Sequence, residues 1–423
     1  MSPLFTASWL LNGALALFCS LTVQAETLPG GNVDSLLAVA RENNPDYLRA
    51  RRETDAARER VLPAGTLPDP RLRVELMDIT RDGEQNPTVS PSRAGAARYT
   101  LMQELPWFGK RDLRSEIARL DAEGSAGRAD GTWTEVAYKI KTLYAQRHFL
   151  THSRELTREM LDLMQRLEKL ALARYRGGLA ALQDVIRAQA EQSSLRSELI
   201  TLDSELRQSS FRTNALLGRP SDAPLAAPVA WRPLPVGEKL DYARLENRAL
   251  ATNPLLAVEA LRLEAAEKNR QLIEKNRYPD FTVGLAPNQQ QNRLRQWDVM
   301  VEVSLPLQQA SRRSQEREAA AMVSASRAGS DAATRRLLAE LAENLSALTA
   351  ARDAERLTVG SLLPQAEMTF EAALAGYENG KVDFATLLDA LRQIRQARQN
   401  RFKWRAEMEM RLAEIERIAG DEW

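Results

Sequence analysis

Cysteine occurs once in this chain of 423 residues, as Cys19, and histidine twice, as His148 and His152. So few thiols and imidazoles exclude a disulfide scaffold and a zinc-type ligand cluster. Net charge is nearly absent too. The 58 Lys and Arg balance the 57 Asp and Glu, which leaves no basic field for nucleic acid, and no nucleic-acid partner is expected. Aromatic residues make up only 6% and mean hydropathy is −0.40, values that suit long solvated helices better than a large globule. Outside the N-terminus no run reaches the roughly 18 apolar residues of a membrane-spanning helix. If the protein enters a membrane, it must do so through strands.

What is present begins with an apolar stretch at 10–23, closed by Val23-Gln24-Ala25. This small-residue pattern predicts a secretory signal peptide over 1–25, cut after Ala25, although its first residues carry no Lys or Arg. A buried N-terminal helix is the alternative. Cys19 falls inside the stretch, and Phe18 before it is too large for a lipoprotein cleavage site. The exported chain would therefore hold no thiol.

The rest of the chain says the same thing twice. Asn44-Pro45 and Asn253-Pro254 each lie in a charged helical run, followed by Pro68-Asp69 and Pro279-Asp280. Two alternating segments come next, closed by Leu105-Pro106 and by Leu305-Pro306. A very long helical run then ends at Tyr175 with Gly178, or Tyr377 with Gly380, before one more helix. A repeat of this size is a duplicated half-protein rather than a solenoid unit. The first repeat covers 26–217 and the second 241–423. Between them, 218–240 holds Pro220, Pro224, Pro228, Pro233 and Pro235, a linker composition.

Segment 71–78 sets Leu72, Val74 and Leu76 against Arg71, Arg73 and Glu75. Segment 296–305 sets Trp297, Val299, Val301, Val303 and Leu305 against Asp298, Met300, Glu302 and Ser304. Segments 98–105 and 281–286 alternate more weakly. Period two means one apolar and one wet face. The simple alternative is a small soluble sheet packed on helices. Against it, the strands form two hairpins about polar loops at 79–97 and 287–295, and each reaches roughly 8–10 residues, near the ~9–11 of a tilted membrane strand. Arg71, Arg73, Glu75, Asp298 and Glu302 are then candidate lumen residues. Trp107, Phe108 and Trp297 are candidates for an aromatic girdle. Four strands cannot close a barrel, and open edges are not tolerated in lipid, so the barrel must be shared between copies.

The helical run at 112–174 is about 63 residues, roughly 95 Å at ~1.5 Å per residue. The runs at 34–62 and 179–217 together hold about 68 residues, nearly equal to it. The second half repeats this with 310–376 against 241–277 and 382–418. Two short helices stacked end to end beside one long helix satisfy both halves. Leu195, Leu199, Leu202 and Leu206 continue a coiled-coil seam.

This duplicated helix–β-hairpin–long helix–turn–helix chain resembles the TolC-like outer-membrane factors of tripartite efflux systems. The most specific pieces are Gln103-Glu104-Leu105-Pro106-Trp107-Phe108-Gly109-Lys110-Arg111 and the two tips, Tyr175 to Val185 and Tyr377 to Asp389. Leu67-Pro68-Asp69-Pro70 with the Gln-Glu-Leu-Pro-Trp-Phe-Gly-Lys stretch looks most like the branch serving cobalt–zinc–cadmium or copper pumps. The resemblance implies a mainly α protein with a membrane β-barrel: a homotrimer with four strands per protomer, a twelve-stranded barrel in outer-membrane lipid and a helical tunnel across the periplasm. It also implies two partners, a periplasmic adaptor (membrane fusion protein) and an inner-membrane resistance-nodulation-division transporter. Such members conduct passively and do no chemistry, so neither catalysis nor a cofactor is expected.

The resemblance further implies a gate in which an Asp of the first tip pairs with a Tyr and an Arg of the second. Asp184 and Tyr377 take those places, while the Arg place holds Val382, with Lys381 beside it as the candidate substitute. Of the family's acidic pore ring, Asp389 matches one member and Thr386 replaces the other. Asp383 is a further candidate, although an Asp just past a turn is often only a helix cap.

His148 and His152, four apart on one helix, have the spacing of two metal ligands but no evident third, and a solvated helix face explains them as well. No nucleophile–base pair or phosphate loop stands out for an enzyme. A soluble periplasmic coiled-coil adaptor would show one helical hairpin flanked by compact β domains. A drug-efflux or type I protein-secretion duct would share the same fold.

Overall fold

The structure, a computed structural model, describes residues 28–80, 87–235, 240–290 and 293–420; the expected signal peptide lies outside them. Each repeat opens with a helix broken at its Asn-Pro step. Helix α1 (Val33–Asn43) gives way to α2 (Pro45–Glu59) and the short α3 (Val61–Gly65), and α6 (Tyr242–Thr252) to α7 (Pro254–Lys275). The single helices expected over 34–62 and 241–277 are corrected by this break. The residue before a proline is driven out of the α region, and Asn44 and Asn253 both take an extended ψ of 121°.

Each asparagine then serves two helix ends. Asn44 Oδ1 accepts the Tyr47 N–H (2.9 Å) while its Nδ2 donates to the Leu216 carbonyl (2.8 Å). Asn253 repeats the arrangement with the Leu255 N–H (2.9 Å) and the Ile418 carbonyl (2.8 Å). Both are buried. The repeat marker is therefore a joint that caps one helix start and one helix finish at once.

Strands β1 (Arg71–Met77), β2 (Ala96–Leu105), β3 (Phe281–Gln290) and β4 (Arg293–Val303) form one antiparallel sheet in the order β1-β2-β3-β4. The second hairpin is longer than expected, because pairing runs out to Gln290 opposite Arg293 and most of the polar loop placed at 287–295 is strand. Pro287 is tolerated there because the β2–β3 ladder skips Tyr99 and Thr100, so its missing N–H costs no bond on that side.

Helix α4 (Lys110–Arg176) has 67 residues, about 100 Å at ~1.5 Å per residue, and contains no proline. It returns through α5 (Leu182–Leu216). In the second repeat the run expected at 310–376 is interrupted. Helix α8 (Gln309–Leu357) passes through a π-helical turn (Thr358–Leu362) into α9 (Leu363–Glu378), and α10 (Phe384–Ala419) returns. Pro364, in the first turn of α9, lacks an N–H and would collide with the carbonyl four residues back. The widened turn just before it absorbs that misfit.

Helix α4 packs along α2 and α3 at one end and α5 at the other, and α8–α9 pack along α7 and α10, which is the two-against-one stacking expected of both halves. Toward the tips, Met160, Met164, Leu167, Val185, Leu195, Leu387, Leu391 and Ile394 form the seam of a coil that joins α4, α5, α9 and α10. Each such side chain contributes about 1.5–3 kcal/mol by leaving water. The inter-repeat linker is pinned rather than loose: Ala226 and Val229 donate to the Pro29 and Gly31 carbonyls, and the buried Tyr144 hydroxyl reaches the Ala230 carbonyl at 2.7 Å.

Candidate gate and pore-lining site

The sheet presents two unlike faces. On one, Leu105, Phe281 and Val303 form a row across three strands, and Leu72, Leu101, Leu285 and Val299 form another across four. Most of this apolar surface is open, Val299 being 77% exposed and Trp297 61%. On the other face Arg73 pairs with Thr100 and Ala286 with Asp298, while Glu75, Arg98, Asn288 and Gln296 lie in one row. Arg98 donates to Asn288 Oδ1 (2.8 Å) and meets Glu75 (3.8 Å) and Asp298 (3.5 Å), and Asn288 donates to Asp298 (2.6 Å). The predicted lumen residues Arg71, Arg73, Glu75, Asp298 and Glu302 share this face. Edge strands β1 and β4 each keep an unpaired side. An apolar face turned to nothing and two open edges are what a protomer of a closed barrel must offer its lipid and its neighbours.

Where strand gives way to helix, Trp107 stacks on Tyr278 (4.9 Å, 7°) and Phe281 (5.8 Å) and meets Phe108 edge-on (5.9 Å). Phe108 itself is exposed. Trp107, Phe108, Phe281, Val283 and Val301 line a hollow of about 420 Å³ on the apolar side. Below it, the buried Lys110 ammonium donates to both Asp280 oxygens (2.9 and 3.0 Å) and to the Tyr278 carbonyl (3.2 Å), while Asp280 also accepts the Trp107 N–H (2.7 Å). Gly109 starts α4 at φ +77°, where a Cβ would lie 2.8 Å from Lys275 Nζ. The Trp-Phe-Gly-Lys motif and the second Pro-Asp step are thus two halves of one joint between the repeats.

At the far end the chain brings the tips together. Tyr377 is buried, its hydroxyl has no hydrogen-bond partner among the described residues, and Phe384 lies against its ring (5.3 Å). Burial pushes its pKa up and the charge of nearby Asp184 adds to that. Asp184 lies in the first turn of α5. Burial raises its carboxyl too; Asp383 adds to the rise, while Arg187 and Arg174 oppose it. Asp383 caps α10, accepting the Thr386 N–H (2.9 Å) and hydroxyl (2.6 Å), bonds that lower its pKa. Asp389 is 68% exposed and pairs with Arg392 at 3.6 Å. Asp184, Tyr377 and Asp383 are therefore neighbours, and Asp389 lies nearly two turns further along α10. Lys381 is exposed, and its ammonium makes no hydrogen bond or ion pair among the described residues.

Midway along the helices, His148 is buried and stacks on Trp231 (3.9 Å, 15°), and His152 stacks on Phe402 (4.7 Å). Burial, with His152 beside it, pulls the His148 pKa down to about 4. Both imidazoles are packed as aromatic plates, and among the described residues no group of three or more His, Cys, Asp or Glu is placed to hold a metal ion. Close by lies a charged cluster that patterning did not flag. Lys141 and Arg232 pair with Glu416 (2.9 Å for Lys141), and Arg405 donates to the Arg232 carbonyl (2.6 Å) and meets Glu409 at 3.5 Å. Glu409 is fully buried, and desolvation raises its pKa to about 7 against the pull of Arg405 and Arg232. Its signal was a carboxylate set among Ala406, Met408, Leu412 and Ala413 on the core side of α10.

Residues 36–219 and 245–421 match the outer membrane efflux protein family, in two blocks that bracket the linker. The chain is 25% identical over 370 residues to the cobalt-zinc-cadmium resistance protein CzcC of Cupriavidus metallidurans, covering 86% of this chain and 84% of that protein. Its fold is similar to that of the outer-membrane channel OprN (TM-score 0.78, 20% identical, 92% and 90% of the two chains). It is also similar to the outer-membrane protein VceC of Vibrio cholerae (TM-score 0.79, 16% identical, 92% and 96%). CusC gives a TM-score of 0.79 at 16% identity, covering 93% of each chain. The repeated halves, the two-faced open sheet and the long paired helices thus agree with the family match, and the chain belongs to the outer membrane efflux protein family.

Proposed function

We propose that this protein is the outer-membrane duct of a tripartite efflux pump, conducting heavy-metal cations passively from the periplasm to the outside. Three protomers would close their sheets into one twelve-stranded barrel, with the helices continuing as a tunnel and the tips of α4/α5 and α9/α10 forming the gate. The observation that carries this reading is the sheet, apolar and bare on one face, charged and hydrogen-bonded on the other, and unpaired at both edges. The metal substrate is supported by the likeness to CzcC. A periplasmic adaptor and an inner-membrane resistance-nodulation-division transporter would supply the drive.

In this gate the expected Asp184–Tyr377 hydrogen bond is not formed, the Tyr377 hydroxyl having no partner among the described residues; the burial of Tyr377 between the tips beside Asp184 would hold them closed, and an adaptor would open them by offering competing contacts. Asp389 and Asp383 add negative charge that concentrates cations. The first experiment is single-channel conductance of the purified protein in a planar bilayer, wild type beside Asp184→Ala. Small cation-selective currents that grow in the variant support a barrel closed at its tips; failure to insert would sink the reading. For the substrate, a host strain lacking the gene should become sensitive to cobalt, zinc, cadmium or copper. Unchanged metal tolerance with lost drug tolerance would move the substrate to organic compounds.

A further inference from the structure

We infer that Arg174 is the cation that clasps the two helix tips of each protomer, in the place that neither Val382 nor Lys381 fills. This rests on the gate reading above. Arg174 lies in the last turn of α4, in the first tip, yet its Nη1 donates to the carbonyl of Glu378 at the end of α9, in the second (2.7 Å). Its guanidinium lies over the Tyr377 ring, 5.0 Å from the centroid, and Nη2 reaches back to the Leu179 carbonyl of its own turn (3.5 Å). The Nε atom is out of solvent and has no hydrogen-bond partner among the described residues. One planar group thus touches the opposite backbone, the opposite aromatic face and its own loop.

The chemistry suits arginine in particular. The last carbonyls of a helix carry partial negative charge and attract a cation. A flat guanidinium can stack on a ring and donate in its own plane, whereas an ammonium is a compact point charge. The second tip is shaped around it: Gly380 takes φ +71°, and a Cβ there would lie 3.1 Å from Arg174 Nη2. Position 382 is committed elsewhere, because Val382 Cγ2 packs so close to Gly376 that a Cβ on the glycine would be only 2.0 Å away. Lys381 contributes its backbone N–H to the Gly376 carbonyl (2.8 Å) and leaves its side chain in solvent. Any motion that parts the two tips must break the Arg174 bond and uncover Tyr377.

The test compares planar-bilayer conductance of the full-length protein carrying Arg174→Ala, Arg174→Lys, Lys381→Ala or Asp184→Ala, each first shown to run as the wild-type oligomer on an unheated gel. Arg174→Ala should raise the open fraction about tenfold, the low end expected for losing a hydrogen bond from a charged group. Arg174→Lys should fall between that and wild type, and Lys381→Ala should match wild type. Opening by Asp184→Ala and Lys381→Ala but not by Arg174→Ala would overturn the assignment while leaving the gate intact. No opening in any variant would overturn the gate and the clasp together. If Arg174→Ala fails to assemble, Arg174→Lys decides: wild-type conductance in it would overturn the need for a planar guanidinium.

Discussion

Lys110 and Asp280 should behave as one unit, and a double-mutant cycle measures it. The Lys110 side chain is 2% exposed and that of Asp280 31%, with the ammonium held by two carboxylate oxygens and one carbonyl. Removing one partner of a buried ion pair costs roughly 3–5 kcal/mol, because the other charge is stranded. Lys110→Met keeps the aliphatic stem and strands the carboxylate. That carboxylate still sees water and keeps the Trp107 N–H, so about 2–3 kcal/mol is expected, below the fully buried range. Asp280→Asn leaves the more buried ammonium only neutral acceptors, the amide oxygen and the Tyr278 carbonyl, and should cost about 3–4 kcal/mol. The double variant replaces two charges by a methyl thioether and an amide. It should cost about 2 kcal/mol less than the sum of the singles.

The assay is urea unfolding of the detergent-solubilised protein, followed by tryptophan fluorescence. A second readout is hydrogen exchange at the Trp107 amide, which should quicken in Asp280→Ala and stay slow in Asp280→Asn. Additive singles, with coupling under about 0.5 kcal/mol, would refute the idea that this pair fastens the first hairpin to the second.

Three further outcomes follow from the same geometry. Val299→Arg, on the bare apolar face, should cost about 2–4 kcal/mol and deplete the folded oligomer from outer membranes, whereas Glu302→Arg on the opposite face should assemble, as immunoblots of membrane fractions would show. Asn44→Ala and Asn253→Ala should each cost about 1–2 kcal/mol, read by thermal unfolding, because each removes a helix cap and leaves a carbonyl unpaired. The pH dependence of stability should split between two buried groups. Glu409, with its pKa raised to about 7, holds a proton in the folded state that the unfolded chain sheds, so its contribution is lost as pH rises from about 4.5 through 7. His148, with its pKa lowered to about 4, contributes stability above about 6.5 that is lost as pH falls toward 4. The two slopes oppose each other between pH 4.5 and 6.5, so Glu409→Gln should tilt the profile upward with pH and His148→Phe downward. Parallel profiles in the three proteins would refute the assignment.

The fold was legible in the sequence wherever a period or a repeat carried it. Alternation at 71–78 and 296–305 identified the two-faced strands, and near-equal helix lengths gave the two-against-one stacking. Breaks inside those runs were less legible. Asn44 and Asn253 were seen as repeat marks, but that each splits a helix follows from the residue–proline clash and from carbonyls supplied some 170 residues away. The π turn depends on how Pro364 is accommodated, which no period reveals. At the tips, the Arg174 bond to Glu378 has no sequence signal, because its partner is a backbone carbonyl, which has no letter in a sequence. Glu409 and Glu416 read as ordinary helix carboxylates. Their charged neighbours Lys141, Arg232 and Arg405 come from α4, the linker and α10, a gathering that no helix period reveals.

The two repeats also differ where likeness would be expected, and the difference bears on assembly. Lys110 meets Asp280 because β2 ends where β3 begins, Leu105 lying opposite Phe281. In a closed barrel the same neighbourhood recurs between protomers, where β4 of one meets β1 of the next. There Leu305 takes the place of Leu105 and Asp69 that of Asp280, but five residues past Leu305 stands Ala310 where five past Leu105 stands Lys110. The joint inside a protomer is latched, and the seam between protomers lacks the lysine. Ala310→Lys should give the seam its missing cation, facing Asp69 of the partner subunit. Each seam should gain about 1 kcal/mol, the upper range for a partly exposed pair, and three equal seams add in one oligomer. Heat dissociation on gels should shift upward in Ala310→Lys and return to wild type in Ala310→Lys/Asp69→Ala. A shift that survives loss of Asp69, or no shift at all, would show that the seam between protomers is not built on the plan of the joint within one.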